Sequence, residues 1–131
     1  MKQKVHSVSY LAKAEFEFKN GVYDLVALPT GAEVLKVSLE IVGGSATTGG
    51  GVNVGFKDEP QKNYFLNLDN IVSLDSVSRS FLTSFTSNRD YTATSNKVVV
   101  AEVSGANDHD DNVKGVLRVL YFLPSVIEVE Y

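Results

Sequence analysis

At 131 residues and 14.2 kDa, the chain is long enough to bury one hydrophobic core without covalent staples. It contains no cysteine, which excludes a disulfide framework and thiolate zinc ligation. Its formal net charge of −4 and pI near 5.1 disfavour binding to a phosphate backbone.

The N-terminal segment, residues 1 to 13, alternates without a uniformly apolar face, which predicts an arm or an edge strand. No apolar signal-peptide region follows its basic residues. The longest strongly apolar run, Val116 to Pro124, is about nine residues, well short of the ~20 that a membrane helix needs. We therefore expect a soluble protein without a cleaved leader.

A hairpin is predicted next, with strands Ala14 to Lys19 and Val22 to Leu28 joined by Asn20-Gly21. This dipeptide suits the two positive-φ positions of a type I′ turn. The two-residue turn would place Phe18 opposite Tyr23, Phe16 opposite Leu25 and Glu17 opposite Asp24.

The cleanest strand pattern runs from Glu33 to Val42, after a reversal at Leu28-Pro29-Thr30-Gly31. Four apolar residues, Leu35, Val37, Leu39 and Ile41, fall on one face, and polar residues fall on the other. We expect it to be a core strand that follows the hairpin directly, so that three strands run consecutively.

The glycine-rich stretch Gly43 to Gly51 has the spacing of a phosphate-binding loop at Gly44 and Gly49 but lacks its chemistry. Glycines occupy the positions of the required Lys and Ser or Thr, and the chain continues as a strand, Val52 to Phe56, instead of opening a helix. A flexible hairpin tip is the better interpretation.

The remaining elements are also short and mostly extended. Residues 57 to 70 predict a charged connection that ends in a short strand or turn, and Ile71 to Phe85 fits a helical or an extended pattern, of which we favour the extended one. Further strands are predicted at Tyr91 to Thr94, Lys97 to Val103, Val116 to Leu123 and the closing segment Ile127 to Tyr131, with Val116 to Leu123 apolar on both faces as a central strand should be. The fold class is therefore all-β, an antiparallel β-sandwich or jelly roll, in a single domain spanning residues 1 to 131.

The sequence offers little chemistry. Only His6 and His109 could act as a base near neutrality, and no catalytic motif surrounds either, so we expect neither an enzyme nor a cofactor. The segment Asp108 to Asn112 opens like a calcium loop but has Val113 and Val119 where glycine and glutamate are required, which leaves only a looser calcium site open. The six tyrosines are dispersed and tryptophan is absent, yet a carbohydrate platform also stays open.

The succession from Tyr23 to Ile41, with Leu28-Pro29-Thr30-Gly31 before a valine-rich strand, resembles small structural proteins of tailed bacteriophages. The strands Val52 to Phe56 and Gly115 to Tyr121 resemble that family too, so the likeness covers about residues 14 to 122. Size, acidity and lack of chemistry are most similar to a capsid cement or decoration protein of that family.

The resemblance implies a virion protein, made in the bacterial host cytoplasm, that sits on the outer capsid surface and binds the major capsid protein. It implies a homo-oligomer, with a trimer favoured, and neither nucleic acid nor membrane as partner. No contact residue transfers by motif, so the expected interface is the arm and the glycine-rich tip, specifically Val8, Tyr10, Leu11, Thr47 and Thr48. The alternative is a tail or baseplate module that binds a host-surface carbohydrate.

Overall fold

The structure is a computed structural model that describes residues 2–6, 8–43, 50–68, 81–105, 113–123 and 126–130. These ranges contain eleven β-strands and no helix. The strands are β1 Lys2–His6, β2 Ser9–Glu17, β3 Gly21–Leu28, β4 Glu33–Gly43, β5 Gly51–Phe56, β6 Leu66–Leu68, β7 Phe81–Ser87, β8 Tyr91–Thr92, β9 Lys97–Ser104, β10 Lys114–Phe122 and β11 Val126–Glu130. No helix among these residues could cross a membrane.

The strands form two packed antiparallel sheets and a separate pair. The first sheet has the order β2-β10-β4-β7, and β8 pairs with the start of β4; the second sheet has the order β3-β9-β5-β6. Strands β1 and β11 pair only with each other within the described ranges, and we call them the terminal ribbon. This arrangement confirms the predicted all-β sandwich.

The hydrophobic core fills the space between the two sheets, where alternate residues of each strand point inward. The first sheet contributes Val37, Leu39, Ile41, Leu117 and Val119, and the second contributes Val52, Val54, Val99, Ala101 and Leu28, all buried. Each such valine or leucine contributes about 1.5–3 kcal/mol relative to exposure. Strand β10 lies between β2 and β4, so the prediction of a central strand near residues 116 to 123 is confirmed.

The predicted hairpin at Asn20-Gly21 is wrong. Strand β2 pairs with β10, and Phe16 lies opposite Gly115; strand β3 pairs with β9, and Tyr23 lies opposite Ala101. Phe16 of β2 and Phe18, just after its end, instead turn into the core, and the Phe18 amide donates to the Val113 carbonyl at 3.0 Å. The link therefore crosses between sheets, and Phe16 stacks on Tyr23 at 5.5 Å between ring centroids across the sandwich.

The predicted placement of Glu17 opposite Asp24 is wrong for the same reason. Glu17 lies 3.6 Å from the Lys19 ammonium, and Asp24 lies 2.7 Å from the Lys57 ammonium. Each carboxylate has its own cation because the two strands belong to different sheets.

The reversal at Pro29 to Gly31 is present as a turn, but it also changes sheet. Gly31 has φ of 90°, a value that favours glycine, and its amide donates to the Ala93 carbonyl at 2.6 Å. The turn carries the chain from β3 in the second sheet to β4 in the first. Three strands do run consecutively, as β2, β3 and β4, but none of them pairs with the next.

Strand β4 lies where the sequence predicts it, but the Leu35 side chain points away from the core. The register with β10 shifts so that Leu120 faces Lys36 and Tyr121 faces Val34, which leaves Leu35 as an extra residue in a β-bulge. Val34 and Val37 are therefore both buried, whereas Leu35 is 46% exposed. The prediction that Leu35 shares the buried face is wrong.

The later strands follow the predictions, with β5, β6, β8, β9 and β11 close to the expected positions. The part of Ile71 to Phe85 that the structure describes, from Phe81 onward, is extended in β7, as favoured. Thr47, Thr48 and the segment Asp108 to Asn112 lie outside the described residues.

Candidate interaction surface

The alternation of side chains along β10 shows which residues lie on the outer face of the first sheet. Leu117 and Val119 are fully buried, so Arg118, Leu120 and Phe122 point away from the core. Directly opposite residues of antiparallel strands share a face. Leu11 of β2 therefore lies beside Leu120 on the outer face.

One end of this face carries large apolar side chains, although Lys36 lies opposite Leu120 and Glu33 lies opposite Phe122 there. Leu11 is 63% exposed, the bulge exposes Leu35, and Leu120 and Phe122 are half-buried. We call Leu11, Leu35, Leu120 and Phe122 the apolar end patch. Large exposed apolar groups that gather at one place are typical of a binding surface.

The rest of the outer face is charged. Arg118 lies 3.6 Å from Glu40 on β4 and directly opposite Lys13 on β2. Glu15 and Glu40 flank Val116, which is buried although it points outward. Large exposed apolar side chains of this face therefore gather at the end nearest the terminal ribbon, whereas Val42 is exposed at the opposite end of β4.

Three of the five predicted interface residues meet at this end. Tyr10 is 49% exposed and stacks on Tyr121, with ring centroids 5.9 Å apart. Leu11 belongs to the patch, and the Val8 carbonyl accepts a hydrogen bond from the Leu123 amide at 2.8 Å. Their proximity to one another does not test whether they bind a partner, which stays a prediction.

Sequence reasoning missed Leu35, Leu120 and Phe122. The strand containing Leu120 and Phe122 is apolar on both faces, which was interpreted as double burial. The structure shows that its outer face is only half-covered at this end. The bulge that exposes Leu35 has no glycine or proline to mark it.

Strand β2 is also an edge of the first sheet in the described part of the chain. Natural edge strands are usually protected from further pairing by charged side chains, and Lys13, Glu15 and Glu17 do this in its second half. The preceding five residues, from Val8 to Ala12, carry no charge. The unprotected half of the edge thus adjoins the apolar end patch.

The largest group of aromatic rings packs on itself elsewhere. Phe56 contacts Tyr64, Phe65 and Tyr91 at centroid distances of 4.5–5.3 Å. The Arg89 guanidinium lies 4.0 Å above the Tyr64 ring, and the Tyr64 hydroxyl donates to the Asp90 carbonyl at 2.9 Å. These rings join two loops to the core and do not present an open platform to a sugar.

A short ion pair lies near this group. The Lys97 ammonium is 2.6 Å from Asp58, and the Lys97 side chain is only 15% exposed. The hydrogen bond from Lys97 lowers the pKa of Asp58, and the same bond raises the pKa of Lys97. The pair links the loop after β5 to the start of β9. The described residues contain no group of three or more histidines or carboxylates that could hold a metal ion.

Comparison with known proteins places this surface in context. No protein-family model and no curated protein sequence matches the chain. It is 71% identical to a chain in the acidic stable capsid structure of Helicobacter pylori bacteriophage KHP30; the match covers 100% of both chains with a TM-score of 0.85. The chain belongs to the same protein family. This finding confirms the resemblance to bacteriophage capsid-associated proteins.

A more distant structure shares the fold. A chain in the capsid asymmetric unit of cyanophage Pam1 superposes with a TM-score of 0.62 at 21% identity, over 88% of this chain and 85% of that one. At this identity the likeness concerns the fold alone.

Proposed function

We propose that the protein is a capsid cement protein that binds the outer surface of a phage shell and bridges neighbouring major capsid subunits. The observation that carries this proposal is the full-length, 71% identity to a chain of a phage capsid structure. The role is structural and non-enzymatic, and it places the protein in the virion.

The apolar end patch is the surface we propose to face the shell. Val8 and Tyr10 are proposed as an adjoining contact at the same end of the sheet, with Tyr10 on the face opposite to Leu11. Contiguous exposed apolar side chains mark protein interaction sites, and this patch combines three leucines with the aromatic Phe122. The acidic balance of the chain suits the outside of the shell, because packaged DNA inside it would repel a protein of net charge −4. Thr47 and Thr48 of the glycine-rich tip are retained as a second proposed contact.

The proposed mechanism is noncovalent stapling by a homotrimer. Each copy contributes one modest contact, and three linked contacts on one lattice bind far more tightly than one, because the second and third are intramolecular. Release would then require all contacts to break together, which raises the temperature at which the shell disrupts.

The test is cosedimentation of the purified protein with matching capsids that lack it, followed by heating of the pelleted shells. We expect saturable binding at a fixed ratio to shell subunits and a higher disruption temperature. Absence of binding to intact shells would exclude the cement function, and a glycan array would then test the carbohydrate-binding tail module.

A matched pair of variants tests the patch itself. Leu11→Ser removes an exposed apolar group of β2 from the patch. Val42→Ser removes an exposed apolar group that lies outside the patch, near the C-terminal end of β4. We expect Leu11→Ser to weaken shell binding about tenfold or more, the scale of a hot spot of ~1.4 kcal/mol or above, and Val42→Ser to leave it unchanged. Equal effects of the two changes would show that the patch is not the contact.

A further inference from the structure

The Asn20-Gly21 dipeptide lies at the link between the two sheets instead of in the hairpin that its sequence predicts. Gly21 is the first residue of β3, and its φ of 150° is a value that residues with a side chain rarely adopt. The backbone conformation therefore explains the glycine. Asn20 before it is exposed, and this combination makes the dipeptide chemically reactive.

The reactivity comes from the nitrogen that follows an asparagine side chain. This backbone nitrogen closes a cyclic imide when it reaches the side-chain carbonyl carbon, and a Cβ on the following residue hinders the approach. Glycine has no Cβ, so it offers the least hindrance. Asparagine is among the thermolabile residues of proteins. No other asparagine in the sequence precedes a glycine, so Asn20 is the most reactive candidate in this chain.

The surroundings of Gly21 leave its amide accessible from one end of the sheet. Gly21 and Val103 form the outermost pair of the β3–β9 ladder, and β9 ends one residue later at Ser104. The last pair of a ladder opens at much lower cost than an interior pair. The nearest atoms to a Cβ placed on Gly21 belong to the Tyr23 side chain, at 3.6 Å and beyond. Ring closure is therefore compatible with the folded sandwich.

We propose that Asn20 is a site of spontaneous modification in the folded protein. The Gly21 nitrogen forms a bond to the side-chain carbonyl carbon of Asn20, the bond from that carbon to Nδ2 breaks, and Nδ2 leaves as ammonia with the proton that the Gly21 nitrogen gives up. Water then adds to one carbonyl carbon of the cyclic imide. Opening at the side-chain carbonyl gives aspartate, and opening at the main-chain carbonyl gives isoaspartate. Water is the only co-reactant.

The two products differ in their effect on the fold. Both add one negative charge, which changes the formal net charge from −4 to −5. Aspartate keeps the length of the main chain, whereas isoaspartate inserts one atom between Lys19 and Gly21. The link is held on both sides, because Phe18 is buried and the Lys19 carbonyl accepts a hydrogen bond from the Tyr23 hydroxyl at 2.7 Å. We therefore expect isoaspartate to lower the Tm by a few degrees and aspartate to change it much less.

The site lies apart from the proposed shell contact. Glu17, the last residue of β2, is six residues from Leu11, which is roughly 20 Å along an extended strand. The modification goes beyond the cement function and does not depend on it. Asn20→Asp should cosediment with shells as the unmodified protein does. Failure of both to bind would count against the cement function and leave the modification site standing.

Peptide mass spectrometry of the folded, full-length protein tests the site. The protein is incubated in mildly alkaline buffer, digested with trypsin and compared with a digest of protein that was not incubated. Cleavage after Lys19 and Lys36 releases residues 20 to 36, which contain no glutamine and no asparagine except Asn20. A gain in mass from amide to acid in this peptide therefore reports Asn20 alone.

The same digest supplies two matched references. Residues 80 to 89 contain only Asn88, and residues 90 to 97 contain only Asn96; both asparagines are exposed, and each precedes a residue with a long side chain. We expect the gain in mass to accumulate several times faster at Asn20 than at either reference. No gain at Asn20 over the protein that was not incubated, or equal gains in all three peptides, would overturn the proposal.

Asn20→Gln provides the control for the structural effect. Glutamine keeps an exposed amide but closes the corresponding larger ring much less readily. Incubation should lower the Tm of the unmodified sequence and produce isoaspartate that a methyltransferase assay labels, whereas Asn20→Gln should show neither change. Equal labelling of the two proteins would place the isoaspartate at another residue and contradict the site.

Discussion

At the scale of single residues, Gly115 shows how closely β10 packs against β2. It lies directly opposite Phe16, and a Cβ at this position would overlap the Phe16 ring, which is itself stacked on Tyr23. Gly115→Ala should therefore lower the free energy of unfolding by about 1–3 kcal/mol, the cost of overpacking a core. Urea denaturation monitored by circular dichroism measures it.

The combination of Gly115→Ala with Phe16→Leu is the control for this mechanism. If the ring is the obstacle, the smaller leucine relieves the overlap and the double variant loses less than the sum of the single losses. Additive losses would show that Gly115 is required for another reason.

The ion pair of Asp58 and Lys97 should contribute stability over a defined pH range. The pKa of Asp58 is lowered from its ordinary 3.8, so its contribution is present above about 3.8 and is lost as pH falls through the lowered pKa. The pKa of Lys97 is raised from 10.5, so its contribution is present below 10.5 and is lost as pH rises through the raised pKa. Asp58→Asn should therefore lower the Tm relative to the wild-type protein at pH 7. This difference in Tm should become smaller as the pH falls below 3.8.

Thermal melts at pH 7 and at pH 2.5 provide the measurement. Asp24→Asn is the matched control, because its partner Lys57 is more than half exposed and an exposed pair contributes little. A Tm difference for Asp58→Asn that is the same at both pH values would rule out the charge of Asp58 as its cause.

At the scale of elements, the bulge in β4 separates two leucines that alternation assigns to the same face. Leu39 is fully buried and Leu35 is 46% exposed. Leu39→Ala should lower the free energy of unfolding by about 2–5 kcal/mol, whereas Leu35→Ala should change it by about 0.5 kcal/mol or less. Chemical denaturation compares the same substitution at both sites, and similar losses would contradict the bulge.

The strands were predictable but their partners were not. Alternation places Leu39 on the buried face, because the two-residue period of side chains in a strand is a local property. Strands β4, β9 and β10 accordingly lie close to their predicted bounds. Pairing depends on contacts far apart in sequence, such as Phe16 with Gly115. The Asn20-Gly21 signal indicated a local hairpin, and burial of Phe16 and Phe18 between the sheets outweighed it.

Only part of the candidate surface was predictable, because its residues come from strands that are distant in sequence. The sequence indicates Tyr10 and Leu11 only as part of the N-terminal arm, because no motif marks a contact residue. Their neighbours Leu120 and Phe122 are distant in sequence and reach them only through the β2–β10 ladder. The full patch therefore required the sheet order.

At the scale of the whole molecule, the fold depends on joining the two ends of the chain. Strand β10 pairs with both β2 and β4 and supplies Leu117 and Val119 to the core. Without it, β2 has no partner and β4 keeps only β7 and β8. Such long-range pairing also predicts folding on the millisecond to second timescale typical of β-sandwiches.

A fragment of residues 1 to 105 should therefore fail to fold, although it retains nine of the eleven strands. A fragment of residues 1 to 123 lacks β11, which in the described ranges pairs with β1, and should keep a cooperative thermal transition. Circular dichroism and amide NMR dispersion distinguish the two outcomes. A folded 1–105 fragment would mean that the second sheet with β4 and β7 is self-sufficient. Loss of folding in 1–123 would mean that the terminal ribbon is required for the stability of the sandwich.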